Sequence, residues 1–143
     1  MNKTTSLLFE QKRYSLRRPF SVMVKPAGSV CNLDCDYCYY IDKCCLYSKS
    51  LPSLSMFTMK DEVLEKLIAD FIASQPLDTV EFVWHGGEPT LLGVNYFEKI
   101  LKLQNKYANG KRVFNVMQTN GTLIDDRWAE FLSENNFFCG LSI

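Results

Sequence analysis

Neither sign of charge is in excess. Sixteen Lys and Arg stand against sixteen Asp and Glu, so no global field draws the chain to nucleic acid or to an anionic membrane. No run approaches the ~18 uninterrupted apolar residues that a spanning helix needs, and Met1 to Phe20 lacks the apolar core of a secretory signal. The reading is a cytoplasmic protein that neither enters a membrane nor binds nucleic acid. Histidine is also scarce. With His85 the only imidazole, Cys–His nucleophilic catalysis would hang on one residue, and no local signature around Cys31 or Cys139 supports it; a strand-end histidine reads more simply as a hydrogen-bonded wall residue. A phosphate loop is missing too, because Gly110-Lys111 is followed by Arg112 and leads into a strand.

Cysteine, by contrast, is plentiful, with six in 143 residues. In an unexported protein these thiols stay reduced and free for metal or catalysis. The 47% hydrophobic content is too high for disorder, and the length suits one domain.

The polar stretch 1–19 reads as a leader. Phe20 to Lys25 is a short buried strand between two prolines. A long loop from Pro26 to about Phe57 then holds five of the six cysteines, and a loop of that length is usually functional. Thr58 and Asp61 resemble a capping box opening a helix, marked by Val63, Leu64, Leu67, Ile68, Phe71 and Ile72 and ending at Pro76. Thr79 to Trp84 is a second strand. Tyr96, Phe97, Ile100, Leu101 and Tyr107 mark a second helix closed by Asn109-Gly110. A third strand covers Val113 to Met117, a third helix Asp125 to Asn135, and a fourth strand Phe137 to Ile143. Alternation at this spacing implies four parallel strands with right-handed crossovers. Periodicity leaves open whether they form an open doubly wound sheet or part of a barrel. Either way, the cysteine loop, Gly86-Gly87-Glu88-Pro89, Gln118-Thr119-Asn120-Gly121 and Ser142 all fall at the carboxyl edge, where such folds build their chemistry.

Cys31, Cys35 and Cys38 have the spacing Cys-x-x-x-Cys-x-x-Cys with no fourth regular cysteine. Three thiolates on an iron–sulfur cluster leave one iron open to a substrate or cofactor. Zinc competes, with Cys44, Cys45 or His85 as a fourth ligand, but lacks the second paired motif of a structural site. Cys44 and Cys45 read as free loop thiols, and Cys139 as a small core residue. The two glycines after the second strand let the backbone approach a bound molecule closely, though a double glycine there is equally an ordinary turn, and Glu88 offers a carboxylate to an ammonium group. Gln118, Thr119 and Asn120 offer amides and a hydroxyl, though Asn120-Gly121 is equally an ordinary turn.

The two motifs, in order at successive strand ends, resemble the radical S-adenosylmethionine superfamily. With Lys25-Pro26-Ala27, Gln118 to Ile124 and Gly140-Leu141-Ser142 added, residues 20–143 are most similar to the N-terminal part of anaerobic sulfatase-maturating enzymes; related maturases of other peptides share much of the pattern. The resemblance implies a partial (β/α)6 barrel, and residues 20–143 would be its incomplete N-terminal portion, truncated after about the fourth strand. It implies that Cys31, Cys35 and Cys38 hold a 4Fe-4S cluster, that Tyr37, Gly86, Gly87, Glu88 and Ser142 contact S-adenosylmethionine, and that Tyr40, His85, Gln118 and Asn120 face a peptide. The implied activity is reductive cleavage of S-adenosylmethionine and oxidation of a cysteine or serine in an unfolded sulfatase to Cα-formylglycine, with a flavodoxin or ferredoxin as reductant. The catalytic base of the family would lie downstream of Ile143, so a cluster-binding but inactive fragment is expected, and a non-catalytic metal-binding module is the alternative.

Overall fold

The structure is a computed structural model describing residues 18–40, 43 and 54–143. Its elements are β1 (Val22–Val24), a single-turn helix α1 (Leu54–Phe57), α2 (Asp61–Ser74), β2 (Thr79–Trp84), a 3-10 turn at Pro89–Leu92, α3 (Val94–Tyr107), β3 (Arg112–Thr119), α4 (Asp126–Glu134) and β4 (Phe138–Leu141). The long loop therefore ends in a helical turn. Of the leader expected over 1–19, residues 1–17 lie outside the described residues.

The strands lie in the order β1-β2-β3-β4 and every pair is parallel. Adjacent strands joined by right-handed crossovers put all their helices on one side, and α2 packs on α3 and α3 on α4. A doubly wound sheet would need the order to reverse so that helices cover both faces. It does not reverse, and the sheet is a segment of a β/α barrel. One face carries Val80, Phe82, Trp84, Asn115 and Met117, all buried beneath the helices. The other carries a row of Met23, Val83, Val116 and Phe138 in register across the four strands, with Met23 and Phe138 exposed. This is the lumen face.

The core is aromatic. Phe71 meets Phe82 edge-on at 4.9 Å, Phe82 stacks on Trp84 at 5.5 Å, and Phe97 meets Trp128 at 5.5 Å. One polar knot lies within it: Asn115 Oδ1 accepts from Trp84 Nε1 and from Gln104 Nε2, both at 2.8 Å, and Asn115 Nδ2 donates to Gln104 Oε1 at 2.9 Å. Each buried donor there has a partner, which avoids the ~1–3 kcal/mol cost of an orphan.

Several local expectations change: β4 covers Phe138–Leu141 rather than Phe137 to Ile143, and β3 runs from Arg112 on to Thr119. Thr58 does not open α2; its hydroxyl donates to Leu54 O at 2.7 Å and so closes α1, while Lys60 stands at the start of α2 with no side-chain cap. Val63 faces solvent, because the buried stripe of α2 runs through Leu64, Ile68, Phe71 and Ile72 and the preceding position is turned away from it. β1 shrinks to three residues, the length over which it pairs with Phe82–Trp84. The α4 start is capped within the expected helix: Asp125 accepts from Trp128 N at 2.9 Å, worth about 1 kcal/mol. Among the described residues no helix is long and apolar enough to cross a membrane.

Candidate functional site

β1 delivers the chain to the carboxyl edge at Lys25, where it folds back. Gly28 N donates to Lys25 O and Val30 N to Ala27 O, giving two tight turns before the first cysteine. Ala27 is fully buried and anchors them. The loop then docks on the turn after β2, through His85 N to Val24 O at 2.8 Å and Glu88 N to Val30 O at 2.7 Å. Gly87 makes this approach possible. It has φ +37°, and a Cβ there would stand 1.9 Å from Val30 O. The close neighbour that demands glycine is thus the cysteine loop's own backbone.

A cavity of about 430 Å³ opens at this edge. All the residues singled out from the sequence line it except Gly86, which is buried beside Lys25, and Tyr40, which is held under the Lys25 ammonium. Cys31, Cys35 and Cys38 share it with Tyr37, Gly87, Glu88, His85, Gln118, Asn120 and Ser142. Its apolar floor is Met23, Val83 and Val116 from the lumen row. Two other depressions, each about 360 Å³, lie between α3 and α4 and at the amino edge, and no described cysteine lines either.

Glu88 is the buried centre of the site, with 1% of its surface exposed. Its Oε1 accepts from Thr90 N at 3.0 Å, Thr90 Oγ1 at 2.6 Å and Thr119 Oγ1 at 2.7 Å. Oε2 accepts from Asn120 N at 2.8 Å. Four donors replace the water lost on burial, and none of the three ion pairs among the described residues involves this carboxylate. It staples the end of β2 to the end of β3, and the acceptor capacity left over belongs to Oε2. Across the next gap, Gln118 Nε2 donates to Ser142 Oγ at 2.9 Å. Gly140 clears its path, since a Cβ there would lie 2.3 Å from Gln118 Oε1.

Lys25 and Thr90 carry structural weight here without having been given a role from the sequence, and the Thr119 hydroxyl, offered there to a ligand, is given to Glu88 instead. The Lys25 ammonium lies 3.7 Å from the centre of the Tyr40 ring and 3.1 Å from Tyr39 Oη. Lysine after a strand looks like any solvated charge; the signal was its position directly before the cysteine loop. Its charge also acts on His85, whose Nδ1 accepts from Gly86 N. Burial first, and the Lys25 charge second, push the His85 imidazole below its ordinary value, with Glu88 opposing. A lowered value means that the neutral ring persists as the pH falls through 6.5. As His85 is the only histidine, its ring proton resonance is expected to titrate below pH 6.5, and Lys25→Met to move that midpoint upward; an unchanged midpoint would remove Lys25 from the site's electrostatics. The exposed Tyr37 phenol is pushed up by its hydrogen bond to Cys35, then by the charges of Cys35 and Cys38.

The donor set is soft: three thiols on one rim, all free of disulfides. Among the described residues no three His, Cys, Asp or Glu side chains form a group suited to holding a single metal ion, although the three thiols line one cavity. Cys139 stands elsewhere. It pairs in register with the buried Met117, packs against the helix-side core, and burial raises its thiol, as expected of a core cysteine. Cys44 and Cys45 lie outside the described residues.

Parallel β/α barrels place their chemistry at this carboxyl rim, and fold and cavity together make this chain a barrel protein with a thiol-lined cavity at that rim. It belongs to the radical SAM superfamily, whose family profile matches residues 26–143. It is similar to a serine-type anaerobic sulfatase-maturating enzyme of Bacteroides thetaiotaomicron, 48% identical over 126 residues, 88% of this chain and 30% of that protein. A cysteine-type anaerobic sulfatase-maturating enzyme of Clostridium perfringens is 46% identical over 127 residues, 87% of this chain and 33% of that protein. Among solved structures, native anSMEcpe with bound AdoMet and Kp18Cys peptide superposes with a TM-score of 0.75 at 42% identity, covering 88% of this chain and 32% of that one. The chain spans about a third of the length of the curated relatives it matches.

Proposed function

We propose that this chain forms the cluster- and cofactor-binding part of a radical S-adenosylmethionine maturase that oxidises a cysteine or serine of a sulfatase to Cα-formylglycine. The observation that carries this reading is the gathering of Cys31, Cys35 and Cys38 on one cavity with Glu88, Gln118, Asn120 and Ser142. In a cluster each protein-ligated iron takes its own thiolate, so the sulfurs belong spread around a multi-atom body rather than converged on one ion. That arrangement, with three cysteines and not four, favours a cluster with one open iron over structural zinc.

A cluster held by Cys31, Cys35 and Cys38 would supply low-potential one-electron reduction of S-adenosylmethionine. This chain's own residues bind and orient. Glu88, held by Thr90, Thr119 and Asn120, presents Oε2 to the methionine ammonium. Gly86 and Gly87 shape the turn beside it, Tyr37 lies on the adenine side, and Ser142, fixed by Gln118, on the carboxylate or ribose side. Tyr40, His85, Gln118 and Asn120 face the peptide. The lumen row of Met23, Val83 and Val116 excludes water. Residues 20–143 act as the incomplete N-terminal portion of the barrel, in the cytoplasm, with a sulfatase-derived peptide and a low-potential electron donor as partners.

Anaerobic reconstitution with iron and sulfide tests this. The expected product is brown, and S-adenosylmethionine changes the electron paramagnetic resonance spectrum of its reduced cluster. Conversion of a Cys-x-Pro-x-Arg peptide is expected when the sequence is carried in a polypeptide of the relatives' length. A colourless protein holding stoichiometric zinc would instead establish a metal-binding module.

A further inference from the structure

Asn120 sits in the turn after β3, and its amide has one permitted orientation. Its Oδ1 accepts from Thr122 N at 3.0 Å and from Thr122 Oγ1 at 2.8 Å. A main-chain N–H only donates, so a reversed amide would set two donors against each other. The amide NH2 is therefore turned the other way, where it lies 3.0 Å from Asn32 Oδ1 and 3.8 Å from Cys31 Sγ. Asn32 closes the ring by donating from Nδ2 to Thr122 Oγ1 at 2.8 Å. The Thr122 hydroxyl gives its proton to Asn120, so it is free to accept, and every group in the ring has one consistent sense. From behind, Glu88 Oε2 holds the Asn120 main-chain N–H. A second donor, Leu33 N, reaches the same sulfur at 3.4 Å. Cys31 Sγ is thus approached by two N–H groups, one from its own loop and one from a residue 89 positions away.

We propose that Asn120 is a positioning residue for electron transfer: its amide N–H···S bond to Cys31 raises the reduction potential of the cluster held by the three-cysteine loop. This rests on the cluster reading above. Hydrogen bonds to cluster sulfurs are among the determinants of potential. The reduced cluster carries one more negative charge, its thiolates are more electron-rich, and an N–H donor stabilises that state more than the oxidised one. The Thr122 main-chain N–H sets the direction of the donor, and the Glu88 staple sets its place.

The experiment is a redox titration of the reconstituted protein, monitored by the absorption and paramagnetic signals of the cluster. Asn120→Ala and Asn120→Asp are both expected to lower the midpoint, by up to about tenfold in the one-electron reduction equilibrium, or ~59 mV. Thr122→Val retains the main-chain N–H that orients Asn120, and is expected to stay near the unmodified protein. Equal midpoints in all four proteins would overturn the inference while leaving the cluster reading intact. A merely structural clip would lower iron content without moving the potential of the clusters that form. Should neither Asn120 variant hold a cluster, the unmodified protein labelled with 15N-asparagine decides: coupling of a side-chain nitrogen to the reduced cluster is expected, and its absence removes Asn120. Failure of the cluster reading shows differently, as an unmodified protein that takes up no iron and sulfide, and the inference then falls with it.

Discussion

Cys35→Ala is expected to abolish the visible sulfur-to-iron charge-transfer absorption of the reconstituted protein, whereas Cys139→Ala leaves it whole. Cys35 lies between the other two ligands in sequence, its carbonyl accepts from Cys38 N at 2.9 Å, and its side chain lines the cavity. Removing it leaves two thiolates in reach of a body that needs one on each of three irons, and neither Asp34 nor Asp36 supplies the soft donor. Cys139 is on the helix side of the sheet, in register with Met117, and its raised thiol reports burial rather than activation. Cys44→Ala is likewise expected to keep the absorption. Bound iron and sulfide per chain, measured beside the spectrum, check the assignment; equal loss in all three variants would sink it.

The second large effect is expected from Gly87→Ala. Its Cβ would lie 1.9 Å from the carbonyl oxygen of Val30 and 2.6 Å from the carbonyl carbon. Both obstacles are backbone, so no rotamer change relieves them, and the Glu88 N to Val30 O bond at 2.7 Å must break. A left-handed alanine costs about 1–2 kcal/mol and an unmade buried hydrogen bond about 1–3 more, for roughly 4 kcal/mol together. Gly93 has φ +74° and ψ 162°, a region essentially reserved for glycine, with nothing within 4 Å of a Cβ, so Gly93→Ala should cost only the ~1–3 kcal/mol backbone term. Chemical denaturation of the two variants compares them directly. Equal losses would show that the cysteine loop is not seated on the β2 turn as described.

The gathering of three thiols on one cavity was legible from adjacency alone, because Cys31, Cys35 and Cys38 fall within eight residues and a loop that short brings its thiols to one place in any fold. The strand at Thr79–Trp84 was equally legible, since alternating β-branched and aromatic residues encode a pleated, one-sided surface. Helix starts were less so. Thr58 has the right residue type and spacing for a cap, and its hydroxyl bonds backward to Leu54 instead, a choice between two local partners that composition does not rank.

The sequence by itself therefore determined the alternation of strands and main helices, the closeness of the three thiols and the edge on which the unusual residues stand, because each is set by contacts among residues close along the chain. Tertiary structure alone decided between barrel and open sheet, through a strand order that puts every described crossover helix on one face. It alone showed Glu88 bound by Thr119 from 31 residues away, and Asn120 reaching Cys31 from 89. Such pairings depend on how the strands are registered side by side, which local preference along one chain segment does not encode.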